Sequence, residues 1–142
     1  MSAAAEFLGR LHPVALHAPL TFIVAGAVIE CIQAFRDTSF LATASRWLFV
    51  WGAATALLAA GTGWLLAAHE PVRSDHRLTL EWHRWLGIGS TAAAVLVCAT
   101  NGRVAGATHA PGTRLCLALA AAILVVATGH FGGTLIWGSD WF

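Results

Sequence analysis

The sequence contains no lysine and little charge of any kind. Charged residues make up 11% of the 142 positions, less than half the roughly 25% usual in a soluble domain. A formal charge of +1 carried on eight arginines argues against an electrostatic grip on nucleic acid. Cysteine is also scarce. Cys31, Cys98 and Cys116 are too few for a disulfide framework, and their apolar settings near helix ends read as small buried hydrophobes. Hydrolytic chemistry lacks its parts: Ser74 and Ser139 are the only serines near the histidines, and neither has a base and an oxyanion arrangement. The opening MSAAAEFLGRLHP lacks a basic n-region and a small-residue cleavage site. The first apolar block is therefore expected to stay as a transmembrane helix.

What the chain has in abundance is long apolar runs. Hydrophobic residues make up 58% of it, and its mean hydropathy is +0.71. Four blocks approach the roughly 20 residues a span needs: about 14–35, 41–68, 80–100 and 114–137. Pro13 suits the first turn of the first block, and Thr79 is a plausible N-cap for the third. The connections are short and rich in turn formers, so neighbouring helices should run antiparallel. The expected fold is all-α: an integral membrane four-helix antiparallel bundle forming one domain over residues 1–142.

That topology gathers His12, His17, His69, His76, His83 and His130 at one end, leaving His109 at the other. At 1.5 Å per residue, His17 and His83 lie roughly 5 Å inside their helix ends and His130 roughly 10 Å. Arginines split evenly between the two sides, so the positive-inside count is a tie. Acidic residues concentrate at the histidine end but weigh little in that rule; a short tail holding only Glu6 and Arg10 crosses a membrane easily, so that end, with both termini, is expected on the periplasmic side of the inner membrane. Most of the tryptophans fit an interfacial aromatic belt.

Membrane helices pack through small residues. Four stripes follow that rule: Pro13, His17, Thr21 and Ala25; Gly52, Ala56, Ala59 and Gly63; His83, Gly87, Ser90 and Ala94; and Ala127, His130 and Thr134. His17, His83 and His130 are thus expected to face inward, with His12 at the mouth as a fourth member. Gly87, Gly129, Gly132 and Gly133 would let a flat group approach the backbone. Pro19 should kink the first helix beside His17. Glu30, an acid inside the membrane, is expected to pair with Arg46.

LHPVALHAPL, HRWLGIG and GHFGGTLIWGSDWF resemble the opening, third-helix and closing motifs of a bacterial family of small predicted membrane proteins, the family of domain of unknown function 2231. The resemblance spans nearly the whole chain. It departs from the family pattern at Ala18, where phenylalanine is usual, and at Trp137 and Trp141, where tyrosine is common. Family members often occur with c-type cytochrome modules, which implies a redox setting on the extracytoplasmic side. By motif the matching histidines are His12, His17, His83 and His130; His69, His76 and His109 fall outside and read as solvated loop residues.

Three functions compete. The first is a b-type cytochrome-like protein holding haem b between two neutral imidazoles from different helices. His17 and His130 are the first pair and His83 the substitute, with electrons exchanged with a periplasmic cytochrome or a membrane redox complex. The second is a copper, zinc or iron site built from His12, His17, His83 and His130. The third is a structural anchor or assembly subunit of a respiratory or photosynthetic complex, its histidines bonding between helices. Each makes the chain an electron-transfer protein or a complex subunit in contact with lipid, with room for an oligomer, more than a stand-alone enzyme.

Overall fold

A computed structural model describes residues 2–36, 40–70, 72, 74–100 and 111–138. Among these there is helix and no strand: α1 (Ala3–Arg10), α2 (His12–Ala15), α3 (His17–Phe35), α4 (Leu41–His69), a single 3-10 turn (Ser74–His76), α5 (Arg77–Thr100) and α6 (Pro111–Trp137). Thr79 lies within α5 and is not its N-cap, because the 3-10 turn runs straight into the helix at Arg77.

The first three elements form one helical stretch interrupted at Leu11 and Leu16. Prolines explain both breaks. Pro13 has no N–H for the carbonyl of Gly9, and Pro19 none for that of Ala15, so the expected kink beside His17 occurs as a break one residue before it. The stretch starts at Ala3, well before the expected position 14. Its 33 residues extend about 50 Å, beyond the roughly 30 Å of a bilayer core. α1 uses the surplus to lie against α4. Gly9 permits this: a β-carbon there would stand 2.8 Å from the backbone nitrogen of Leu66. Arg10 bonds Glu6 one turn back at 2.8 Å and lies 3.7 Å from Glu70 beyond the end of α4.

Ala3–Phe35, Leu41–His69 and Gly112–Trp137 are long and apolar enough to cross a membrane. α5 falls short of that measure, contrary to the four blocks expected, because Arg77, Glu81 and Arg84 occupy its first turns and only 85–100 is free of charge. The four long helices nevertheless pack in a closed cycle, α3 and α5 each touching both α4 and α6. Contacts at the two ends show that they alternate in direction. His12, Gly63, His83 and Gly132 meet at one end, and Glu30, Ser45, Val97 and Arg114 at the other.

The core lies toward that second end, around Ile23, Phe49, Ala94, Val97, Ala118 and Ala121. Small residues admit large ones: a β-carbon on Gly26 would meet the Phe49 ring at 2.8 Å, and one on Gly52 would meet Ile23 Cγ1 at 2.7 Å. Beside the core, Arg114 Nη2 donates to Glu30 Oε1 at 2.7 Å and to Ser45 Oγ at 3.1 Å, and Nη1 reaches Val97 O and Thr100 Oγ1 at 3.4 Å. The Ser45 hydroxyl donates to the same carboxylate. One network thus joins α3, α4, α5 and α6. The partner of Glu30 is Arg114 and not Arg46, the residue expected from sequence. Ser45 faces the core, and the next residue, about 100° around the helix, is exposed. The cysteines are free, and less enclosed than buried hydrophobes would be: Cys31 and Cys98 are half-buried and Cys116 is exposed.

Candidate functional site

His12 opens α2 at the break made by Leu11 and Pro13. Its Nδ1 lies 2.9 Å from the carbonyl oxygen of Ala59 and 3.3 Å from Thr62 Oγ1. A carbonyl oxygen only accepts, so Nδ1 carries the proton. The Thr62 hydroxyl donates to the same carbonyl at 3.0 Å. His83, two turns into α5, repeats the arrangement, with its Nδ1 donating to the carbonyl of Thr128 on α6 at 2.9 Å. Each neutral imidazole is left with a lone pair on Nε2, and neither Nε2 has a hydrogen-bond partner among the described residues. The two rings stand with centroids 6.0 Å apart and planes at 86°.

Glycine seats both rings. A β-carbon on Gly63 would come 2.8 Å from His12 Cε1, and one on Gly132 would come 3.1 Å from His83 Cε1. Any side chain at either position would push the imidazole off its place. Both histidines line a cavity of about 780 Å³ between α2, α3, α4, α5 and α6. That volume lies within the range of small-molecule and cofactor pockets. Leu20, Ala56, Ile88 and Val125 give it an apolar wall, while Gly87 and Gly129 widen it. Toward the helix ends the lining becomes polar, with Arg10, Glu70, Trp64 and Arg84. The Arg84 guanidinium sits over the Trp64 ring, 5.2 Å from its centroid.

Of the residues expected at the site, His12, His83, Gly87, Gly129 and Gly132 line this cavity. His17 and His130 do not. Both are exposed on the outer surface, and His130 makes an edge contact with Phe131 at 5.7 Å. The small-residue stripes of α3 and α6 do not mark the packed sides: Thr21 is exposed and Thr134 only half-buried. Thr21 bonds the carbonyl of His17 at 2.8 Å, and Thr134 that of His130 at 3.1 Å. A hydroxyl satisfied within its own helix can face lipid, so it does not mark the packed side. The inward line of α6 instead runs through Ala118, Ala121 and Val125 to Gly132. Gly133 is half-buried and outside the lining. His69 donates to Leu65 O at 2.7 Å at the end of α4, and His76 lies 3.8 Å from Asp75. His109 and Trp141 lie outside the described residues.

Sequence reasoning missed Gly63 as the seat of His12, Arg84 on Trp64, and the carbonyls of Ala59 and Thr128. The stripe through Gly63 was a signal for the first; backbone acceptors leave none. Among the described residues, no group of three or more histidines, cysteines or acids is placed to hold a metal ion.

A family model described as predicted membrane protein (DUF2231) matches residues 10–140. No curated protein and no solved structure matches the chain.

Proposed function

The chain belongs to the DUF2231 family of predicted membrane proteins, and within it we propose that this protein binds one b-type haem, with His12 and His83 as the axial ligands. One observation carries the reading: two neutral imidazoles from different helices, each fixed by an Nδ1 bond to a backbone carbonyl, face one apolar cavity 6.0 Å apart. A carbonyl on Nδ1 is the usual device for holding a ligating histidine in the right tautomer and orientation. Gly87 and Gly129 supply room for a flat group, since a β-carbon on Gly129 would meet nothing within 4 Å. Haem bound there would supply reversible one-electron transfer.

In this reading all four long helices cross the inner membrane as an antiparallel bundle. The first turns of α5 sit at the interface, where Arg77, Glu81 and Arg84 meet water. The exposed Trp64, Trp82, Trp85 and Trp137 mark that interface. The histidine end faces the periplasm, where a c-type cytochrome or a membrane redox complex exchanges electrons with the haem.

A second reading rests on the same hydrogen bonds. His12 ties α2 to α4, and His83 ties α5 to α6, as structural staples would. Spectroscopy separates the two. Purified after expression with adequate haem supply, the protein should show a Soret band, split α and β bands on reduction, and about one haem per chain by pyridine haemochrome assay. His12→Ala and His83→Ala should each abolish the six-coordinate spectrum. A colourless protein that stays colourless on haem titration overturns the haem reading.

A further inference from the structure

The charged end of the cavity is uneven in a way that names part of its ligand. Arg10 is already compensated, with Glu6 at 2.8 Å and Glu70 at 3.7 Å. Arg84 is not. It is half-buried, lines the cavity and stacks on Trp64, but it makes no ion pair or hydrogen bond among the described residues. Glu81, one turn earlier on α5, does not pair with it. A guanidinium offers five donors in a planar fork suited to a carboxylate. Held against an indole face, it has already lost much of the freedom that binding would cost. An apolar cavity whose rim carries one oriented, uncompensated cation suits a mostly apolar molecule with an acidic edge.

Resting on the haem reading above, we infer that Arg84, oriented by Trp64, receives a carboxylate side group of the cofactor. Arg84 thereby fixes which edge of the ligand lies at the rim and selects an acid-bearing tetrapyrrole over its neutral ester. Arg84 lies one residue after His83. The same turn of α5 would then supply an axial ligand and the anchor for the periphery, so entry and orientation are set together.

The test changes the ligand before it changes the protein. Apo-protein in detergent is titrated with iron protoporphyrin IX and with its dimethyl ester, followed at the Soret band. The wild type should bind the diacid about tenfold or more tightly than the ester, the scale of one charge-assisted hydrogen bond. Arg84→Gln should lose most of that preference by weakening the diacid and leaving the ester unchanged; Arg84→Lys should keep part of it. Equal wild-type affinity for diacid and ester overturns the inference without touching the haem reading. So does an Arg84→Gln protein that retains the full preference. Failure of the wild type to bind either porphyrin overturns both. Because the first comparison uses only wild-type protein, a poorly folding variant does not decide the outcome.

Discussion

The two ends of the molecule solve opposite problems with polar groups. At the second end, Glu30, Ser45 and Arg114 are packed beside the core and bonded to one another, and Arg114 also reaches Val97 O and Thr100 Oγ1. At the histidine end, two imidazoles and a guanidinium are held in place while their binding capacity stays unspent. Among the described residues, the Nδ1 of His12 and of His83 is bonded while neither Nε2 is, and Arg84 is stacked without an ion pair. Polar groups in an apolar setting are costly unless satisfied. One end therefore reads as the fastening of the four helices, and the other, under the proposed haem reading, as the ligand site. If so, damage to the first should cost stability, and damage to the second should cost binding.

The largest effect belongs to the fastening. Removing one partner of a buried ion pair leaves the other charge uncompensated, typically at 3–5 kcal/mol. Glu30→Ala and Arg114→Ala should each destabilise the protein by about that much in thermal or denaturant unfolding in detergent. A paired Glu30→Leu, Arg114→Met replacement should recover most of the loss, because apolar groups of similar volume make no such demand. Haem affinity per folded molecule should stay at the wild-type value in the double variant. A large loss of haem there would break the division of labour between the ends.

How far the sequence disclosed these two ends follows from what each depends on. The helical class, the alternation of direction and the bounds of α4 were legible, because apolar block length and short connections determine them. So were the inward stripes of α4 and α5, where glycine, alanine and serine pack without a competing explanation. His12 was expected at the mouth because the helix was expected to begin at about position 14, with Pro13 at its first turn. In fact helix begins at Ala3, and Gly9 brings α1 onto the backbone of α4, so His12 lies within the packed structure. His17 and His130 were expected to face inward because threonine beside them resembled a packing residue, and both are exposed. The partner of Glu30 was missed because Arg46 was near in sequence and Arg114 was far.

A smaller effect is expected where only the seating of a ring changes. Gly63→Ala puts a methyl 2.8 Å from His12 Cε1, inside contact distance, and Gly132→Ala puts one 3.1 Å from His83 Cε1. Overpacking of this kind costs about 1–3 kcal/mol. At Gly63 it should appear chiefly as weaker haem binding, on the order of tenfold or more, with a shifted Soret band. Gly132→Ala should do the same to a lesser degree, since a few tenths of an ångström of movement relieves it. Gly129→Ala, which lines the same cavity but meets no protein atom within 4 Å, should leave the stability of the haem-free protein within about 0.5 kcal/mol of wild type. If all three alanines acted alike, the glycines would be serving helix packing in general rather than these two imidazoles.

The smallest effect separates the inner histidines from the outer ones. His17→Ala and His130→Ala alter exposed side chains outside the cavity lining, so each should leave the Soret position and the haem content unchanged. The result bears on the whole comparison, because four histidines stand in the family-like motifs and only two line the cavity. A lost or five-coordinate spectrum in either variant would mean that the ligand sits between α3 and α6, and the His12–His83 pair would then be left as the staples. An unchanged spectrum in both, together with loss in His12→Ala and His83→Ala, assigns the chemistry to the two rings whose Nδ1 protons are already committed to Ala59 and Thr128.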